Sequence, residues 1–218
     1  MAFLTGFDSD ELIVNTAAYV KSFMSQFDAS HDWEHIIRVV SLSRAIFLNS
    51  SSALGGSQRP CIRKVILAGL LHDVADTKYL PPDHDGSHMI ANILLSYGAD
   101  RNLALEVQAI CLGVSYRTEV KDDAAIRALI EKHPELAIVQ DADRLDAIGA
   151  IGIGRCFTYG GAKTSRSLNE SVHHFDEKLL HLEAKMKTLA GKEMARERTE
   201  RLRLFQQWWN DENRAADS

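Results

Sequence analysis

Val65-Ile66-Leu67-Ala68-Gly69-Leu70-Leu71 runs without a break into His72-Asp73. The seven apolar residues leave no polar face, so a helix over this stretch must be covered on most sides and lie near the middle of the fold. A histidine and an aspartate at the end of such a helix incur a large desolvation cost unless something compensates them, and a divalent cation is a good compensator. The doublet alone fits equally well a histidine interacting with its helix dipole beside an aspartate that caps the turn.

Outward from this run, only four prolines occur in 218 residues, and apolar residues recur at three- and four-residue spacing along most of the chain. The reading is all-α, with no convincing strand. Asp8 and Glu11 resemble a capping box before a first helix whose face is Ile13, Ala17, Val20, Met24 and Phe27. Ser30 is a candidate cap for a second helix carrying Ile36, Val39, Val40 and Phe47. Pro60 is a plausible first position of the central helix, which is expected to reach about Val74. Short helices are expected from Met89 to Tyr97, after Asp100, and from Asp122 or Asp123. A long helix is expected from Glu135 to Gly160-Gly161, with Gly149, Gly152 and Gly154 permitting close packing. Ser167 and Glu170 form a further capping box, before a heptad-like helix from Val172 to Leu189 that Gly191 stops. A last helix around Trp208-Trp209 carries a thin apolar stripe and suits the surface, or a second copy in a homodimer.

Composition narrows the function. Hydrophobic residues make up 45% and charged residues 25%, as expected for one domain over 1–218 with a core at about 10–160 and a helical extension at about 161–218. Thirty acidic residues against 25 basic ones give a charge of -5, so no whole-domain basic field exists to hold nucleic acid. Cys61, Cys111 and Cys156 lie too far apart for a C-x-x-C site, and they fit a reducing, cytoplasmic setting. The apolar run is too short to span a membrane, and Asp8, Asp10 and Glu11 stand where a signal peptide needs basic and then apolar residues.

Two more clusters join His72-Asp73. In His31-Asp32-Trp33-Glu34-His35 the two histidines share a helix face, and Arg38 lies one turn on. In Asp141-Ala142-Asp143-Arg144-Leu145-Asp146, Asp143 and Asp146 share a face while Asp141 points elsewhere. A carboxylate here also suits pairing with Arg144 or capping a neighbouring helix. Two imidazoles and two carboxylates from three separate helices can surround one cation and leave positions open for water and a phosphate oxygen.

The strings H-D-W-x-H-x-x-R-V, L-H-D-x-A-D-x-K and Q-D-A-D-R-L-D-A-I-G-A-I-G-I resemble the HD-domain metal-dependent phosphohydrolase superfamily, in its YpgQ/YedJ-type branch, over roughly residues 10 to 190. The resemblance implies an all-helical bundle and one divalent metal per chain held by His35, His72, Asp73 and Asp143. Manganese or magnesium is the expected ion, and iron, cobalt and nickel suit the same donors. It also implies a small-molecule nucleotide substrate, with pyrophosphate released from a (deoxy)nucleoside triphosphate, and a nucleotidase or other phosphoesterase of the same superfamily is the alternative. His31 then falls to substrate binding or ligand orientation.

The remaining roles rest on chemistry and proximity in sequence. Lys78 and Arg38 are assigned to phosphate, and Asp76 to positioning the water or taking its proton. Arg117 and Lys121 in a basic loop, with Arg155, Tyr159, Lys163 and Arg166, are candidates for a polyphosphate channel. His84 and His88 are weaker candidates for a second metal. Two competing readings are an inverted zinc-protease motif in His31 to His35, which leaves His72-Asp73 without a task, and a non-enzymatic helical assembly module.

Overall fold

The computed structural model describes residues 2–50, 59–74 and 86–216, which are helical and contain no strand. In chain order these are α1 Glu11–Met24, α2 Trp33–Ser50, α3 Ile62–Leu71, α4 Met89–Ser96, α5 Arg101–Val114, α6 Tyr116–Lys121, α7 Asp123–Lys132, α8 Glu135–Asp146, α9 Gly149–Tyr159, α10 Leu168–Glu177 and α11 Leu189–Ala216. Among the described residues, no helix is long and apolar enough to cross a membrane.

The apolar run occupies the position its composition demands. Helix α3 packs against α1, α2, α5 and α8, and Val65, Ile66, Leu67, Ala68, Leu70 and Leu71 are inaccessible to solvent. Each buried valine, isoleucine or leucine contributes about 1.5–3 kcal/mol by leaving water. Gly69 marks the crossing with α2, because a methyl group there would sit 3.3 Å from Val40 Cγ2 and 3.6 Å from Val40 Cα. That close approach brings His35 of α2 alongside His72.

Helix starts follow the capping chemistry, with three corrections. Asp10 rather than Asp8 caps α1, accepting from the Ile13 amide at 3.3 Å. Asp32 rather than Ser30 accepts from the His35 amide at 3.0 Å, while the Ser30 hydroxyl turns to Asp28. Asp100 and Asp122 cap α5 and α7, and the Ser167–Glu170 capping box is formed. Helix α3 runs from Ile62 to Leu71, not from Pro60 to about Val74, with Cys61 extended at its N-cap and its amide donating to Glu135 Oε1 at 2.8 Å.

Three long-range expectations are corrected. The helix expected from Glu135 to Gly160 is two helices, α8 and α9, because Gly149 adopts a left-handed φ of 75° after an extended Ile148. The heptad-like helix expected from Val172 to Leu189 ends at Glu177, and short 3-10 turns follow at Leu179–His181 and Glu183–Lys185. Gly191 does not stop a helix. It lies in the first turn of α11, where a Cβ would meet Asp141 Oδ2 at 2.3 Å. Helix α11 packs back on α2, α8 and α9. Its Trp209 contacts Phe205 and Phe157 and donates to Asn169 Oδ1 at 3.1 Å, so this end of the chain is anchored to its own fold.

Candidate metal centre

Three helices bring four donor atoms together. His35 rises from α2, His72 is the C-cap of α3 with Asp73 in the turn after it, and Asp143 projects from α8. His35 Nε2 lies 3.3 Å from His72 Nε2, 3.3 Å from Asp73 Oδ2 and 3.6 Å from Asp143 Oδ1. His72 Nε2 lies 3.6 Å from Asp73 Oδ2 and 3.8 Å from Asp143 Oδ1. His35, His72 and Asp73 are buried, whereas Asp143 keeps one side toward solvent.

The hydrogen bonds on the far side of each ring decide what these atoms offer. His35 Nδ1 donates to Asp146 Oδ2 at 2.8 Å, and His72 Nδ1 donates to the Gly69 carbonyl at 2.9 Å. With the ring protons engaged there, both Nε2 atoms turn lone pairs toward two carboxylates. A cation about 2.1 Å from each ligand requires donors about 3.0 Å apart at right angles and about 3.4 Å apart in a tetrahedron, close to the spacing found. The residues therefore fit a divalent ion, and His35, His72 and Asp73 alone form a cluster able to hold one.

The local field agrees. Burial and the charge of Arg155 act against a proton on His35, yet its bonds to Asp146 and Asp73 raise its pKa overall. Burial also acts against the charge on Asp143, and the nearby His72 and His35 outweigh it and lower its pKa. The same attraction for positive charge serves a metal ion.

Asp146 is the hub behind the donors. Besides His35, its carboxylate accepts from Arg38 Nε at 2.7 Å, Arg38 Nη2 at 3.1 Å and Arg155 Nη1 at 3.0 Å. Burial pushes its pKa up, but the bonds from His35 and Arg38 and the charge of Arg155 hold it well below the carboxylate range. The break between α8 and α9 makes this possible, because the turn folds α9 back so that Arg155 reaches Asp146. Arg38, assigned from sequence to phosphate, is instead paired with Asp146. Asp141 points away from the centre, accepting from the Lys187 and Thr188 amides at 2.8 and 2.7 Å and from Thr188 Oγ1 at 2.7 Å.

A cavity of about 910 Å³ opens on the donors. His72, Asp73 and Asp143 line one part, and His31, Arg117, Lys121, Arg155, Tyr159 and Arg166 line others, so most of the expected channel residues share this space. Lys163 is not among the lining residues and pairs with Asp28 at 3.3 Å. Arg117 and Lys121 lie on α6, not in the expected loop. His174 and Lys178 also line the cavity, a placement hidden in the sequence by the heptad-like pattern around them.

Leu112, Val114, Val120 and Leu179 add apolar surface to the lining. His31 packs edge-on against His35 and Tyr159, at ring separations of 5.9 and 5.6 Å, and its Nδ1 lies 2.8 Å from Ser30 Oγ. The protease reading fails here, since Glu34 is exposed and the groups that meet the ring nitrogens of His35 are His72, Asp73, Asp143 and Asp146, not Glu34 or His31. Asp76, Lys78 and His84 lie outside the described residues, and His88 is exposed at the N-cap of α4.

Comparison with known proteins accords with this arrangement. The HD domain family matches residues 32–148, from the helix of His35 to just past Asp146. YpgQ of Bacillus subtilis is 32% identical over 186 residues, which cover 83% of each protein. The crystal structure of B. subtilis YpgQ in complex with ADP has a TM-score of 0.71 at 30% identity, covering 97% of both chains. That of an HD-superfamily hydrolase from Bacillus thuringiensis has a TM-score of 0.68 at 31% identity, covering 94% of this chain and 98% of that one. With its donors drawn from α2, α3 and α8 and a family match spanning more than half its length, the chain belongs to the HD domain family.

Proposed function

We propose that the protein is a metal-dependent phosphohydrolase of nucleotides that releases pyrophosphate from a (deoxy)nucleoside triphosphate. The observation that carries this reading is one cavity lined at once by three of the four donors, His72, Asp73 and Asp143, by several cations and by apolar residues. Anionic phosphates suit Arg117, Lys121, Arg155, Arg166 and Lys178, and a planar base suits apolar lining residues such as Leu112, Val114 and Leu179. The ADP held by YpgQ, similar along nearly all of this chain, supports a nucleotide ligand.

His35, His72, Asp73 and Asp143 would hold one divalent ion, manganese or magnesium first among the candidates. When bound, such an ion lowers the pKa of water and polarises a phosphoryl oxygen. The chain's own residues do the rest. Asp146 orients His35, with Arg38 and Arg155 holding the carboxylate in place. Arg155 also brings positive charge into the cavity, where charge develops on the phosphoryl oxygens. His31, with Ser30 on its Nδ1, contacts substrate from the α9 side. Asp76 handles the proton of the attacking water, and Lys78 contacts phosphate.

Product chromatography after incubation with manganese and a panel of nucleoside mono-, di- and triphosphates and cyclic nucleotides tests the reading, with His72→Ala alongside. Nucleoside monophosphate and pyrophosphate from a triphosphate, absent with His72→Ala, is the expected result. Orthophosphate from a monophosphate would move the activity to a nucleotidase, and no turnover of any nucleotide would refute the proposal.

A further inference from the structure

Helix α6 forms part of the cavity wall, yet its one buried residue is a glutamate. Glu119 is 1% exposed, while Arg117, Thr118, Val120 and Lys121 around it are exposed and line the cavity. Six residues form too few internal hydrogen bonds to hold a helix in place. Apart from half-buried Tyr116, this one also lacks an apolar anchor.

Its attachment is ionic. The Glu119 carboxylate accepts from Arg144 Nη2, and from Lys187 Nζ at 2.8 Å. Both cations also donate to the Lys185 carbonyl, Arg144 Nη1 at 3.1 Å and Lys187 Nζ at 2.7 Å. Arg144 is 2% exposed and directly follows Asp143 on α8. The same turn of helix thus sends Asp143 to the metal donors and Arg144 to α6. A buried carboxylate with two cations is seldom more stabilising than packed apolar groups, but its directional bonds fix the register of what they join.

We propose that Glu119 is a positioning residue that ties α6, through Arg144 and Lys187, to the helix bearing Asp143, so that Arg117 and Lys121 stand where a polyphosphate chain reaching the metal centre meets them. This rests on the reading that the cavity receives a polyphosphate. It adds that the binding wall is set from outside the cavity by an ion triad whose Glu119 and Arg144 are buried.

The test compares wild type with Glu119→Gln, Glu119→Asp and Lys187→Met, the last tolerable because Lys187 is partly exposed. Manganese content, tripolyphosphate binding by calorimetry and amide exchange are measured on each. Glu119→Gln is expected to retain manganese and to bind tripolyphosphate about tenfold more weakly, the worth of one charge-assisted contact. Lys187→Met should show a smaller loss, and Glu119→Asp should recover most of the affinity. Amides of residues 116–121 should exchange faster in Glu119→Gln and Lys187→Met, with those of 135–146 unchanged.

Unaltered tripolyphosphate affinity, unaltered exchange in α6, or affinity lost only together with manganese would each overturn the proposal. Wild-type protein that binds tripolyphosphate but turns over no nucleotide would refute the nucleotide reading and leave this one standing. Failure of the wild type to bind tripolyphosphate would overturn this proposal, while the nucleotide reading stands or falls on turnover.

Discussion

Replacing Asp146 by asparagine tests whether the metal centre is built from behind. Asp146 is 1% exposed and accepts four hydrogen bonds from three side chains on α2 and α9. Asparagine keeps the shape, but it loses the charge and turns an N–H toward one of those donors. Removing one partner of a buried ion pair costs about 3–5 kcal/mol. Each kcal/mol shifts the melting temperature of a protein this size by roughly 2–4 °C, so the loss corresponds to a fall of about 6–20 °C. A native stability in the upper part of the usual range of about 5–15 kcal/mol leaves the variant folded at 25 °C. His35 would also lose the bond that holds its proton on Nδ1, an effect that typically weakens metal affinity about 10–100-fold. Thermal melts by circular dichroism in the absence of metal, followed by manganese titration calorimetry at 25 °C, give both numbers. A melting temperature within about 2 °C of wild type together with unchanged manganese affinity would refute the role given to Asp146.

Further outcomes follow from other contacts. Asp10→Ala removes the α1 cap and should cost about 1 kcal/mol at neutral pH; the ion pair adds little, because Arg63 is more than a third exposed. The hydrogen bond from Arg63 is the main reason the Asp10 pKa lies below its ordinary value. Its contribution is therefore present above an unfolded value of about 3.9 and fades as pH falls through the lower folded value. Urea titrations at pH 6 and pH 3 should show the gap between wild type and Asp10→Ala shrinking in acid, and a constant gap would count against the pairing. Gly152→Ala puts a Cβ 2.3 Å from the Ala147 carbonyl, so the turn between α8 and α9 must shift. A lowered melting temperature together with weakened manganese binding is expected, and wild-type values for both would show that the turn does not position Asp146. Asp141→Ala strips two amides and a hydroxyl at the start of α11 of their buried acceptor and should cost about 2–4 kcal/mol in urea unfolding without changing metal stoichiometry.

How far the site could be read from sequence depended on how local its cause was. The position of α3 was legible because seven apolar residues without a polar face have no arrangement but burial. His72-Asp73 was legible because ionisable residues at that place require compensation. The role of Asp146 was half visible. Its spacing from Asp143 placed both on one face, but its partners His35 and Arg38 lie more than a hundred residues away, and no local pattern encodes that distance. Arg38 was misread for the same reason. One helical turn from His35, it shares that histidine's face, and the face that turns His35 toward Asp146 turns the guanidinium there as well.

The break after Asp146 escaped because three glycines signal both close packing and a left-handed turn, and only backbone geometry tells that Gly149 takes the turn while Gly152 takes the close approach. Glu119 was the least legible of all. It sits among Arg117, Lys121, Asp122 and Asp123, where a surface loop is the natural reading. Its burial is conferred from outside, by an arginine and a lysine that reach it from two distant segments. Apolar residues report their burial through their neighbours in sequence, whereas a charged residue can be buried only where partners arrive, and those partners are set by the fold. The donors announced by the apolar core were thus readable one helix at a time, while the polar struts that aim them became readable only once the helices were in place.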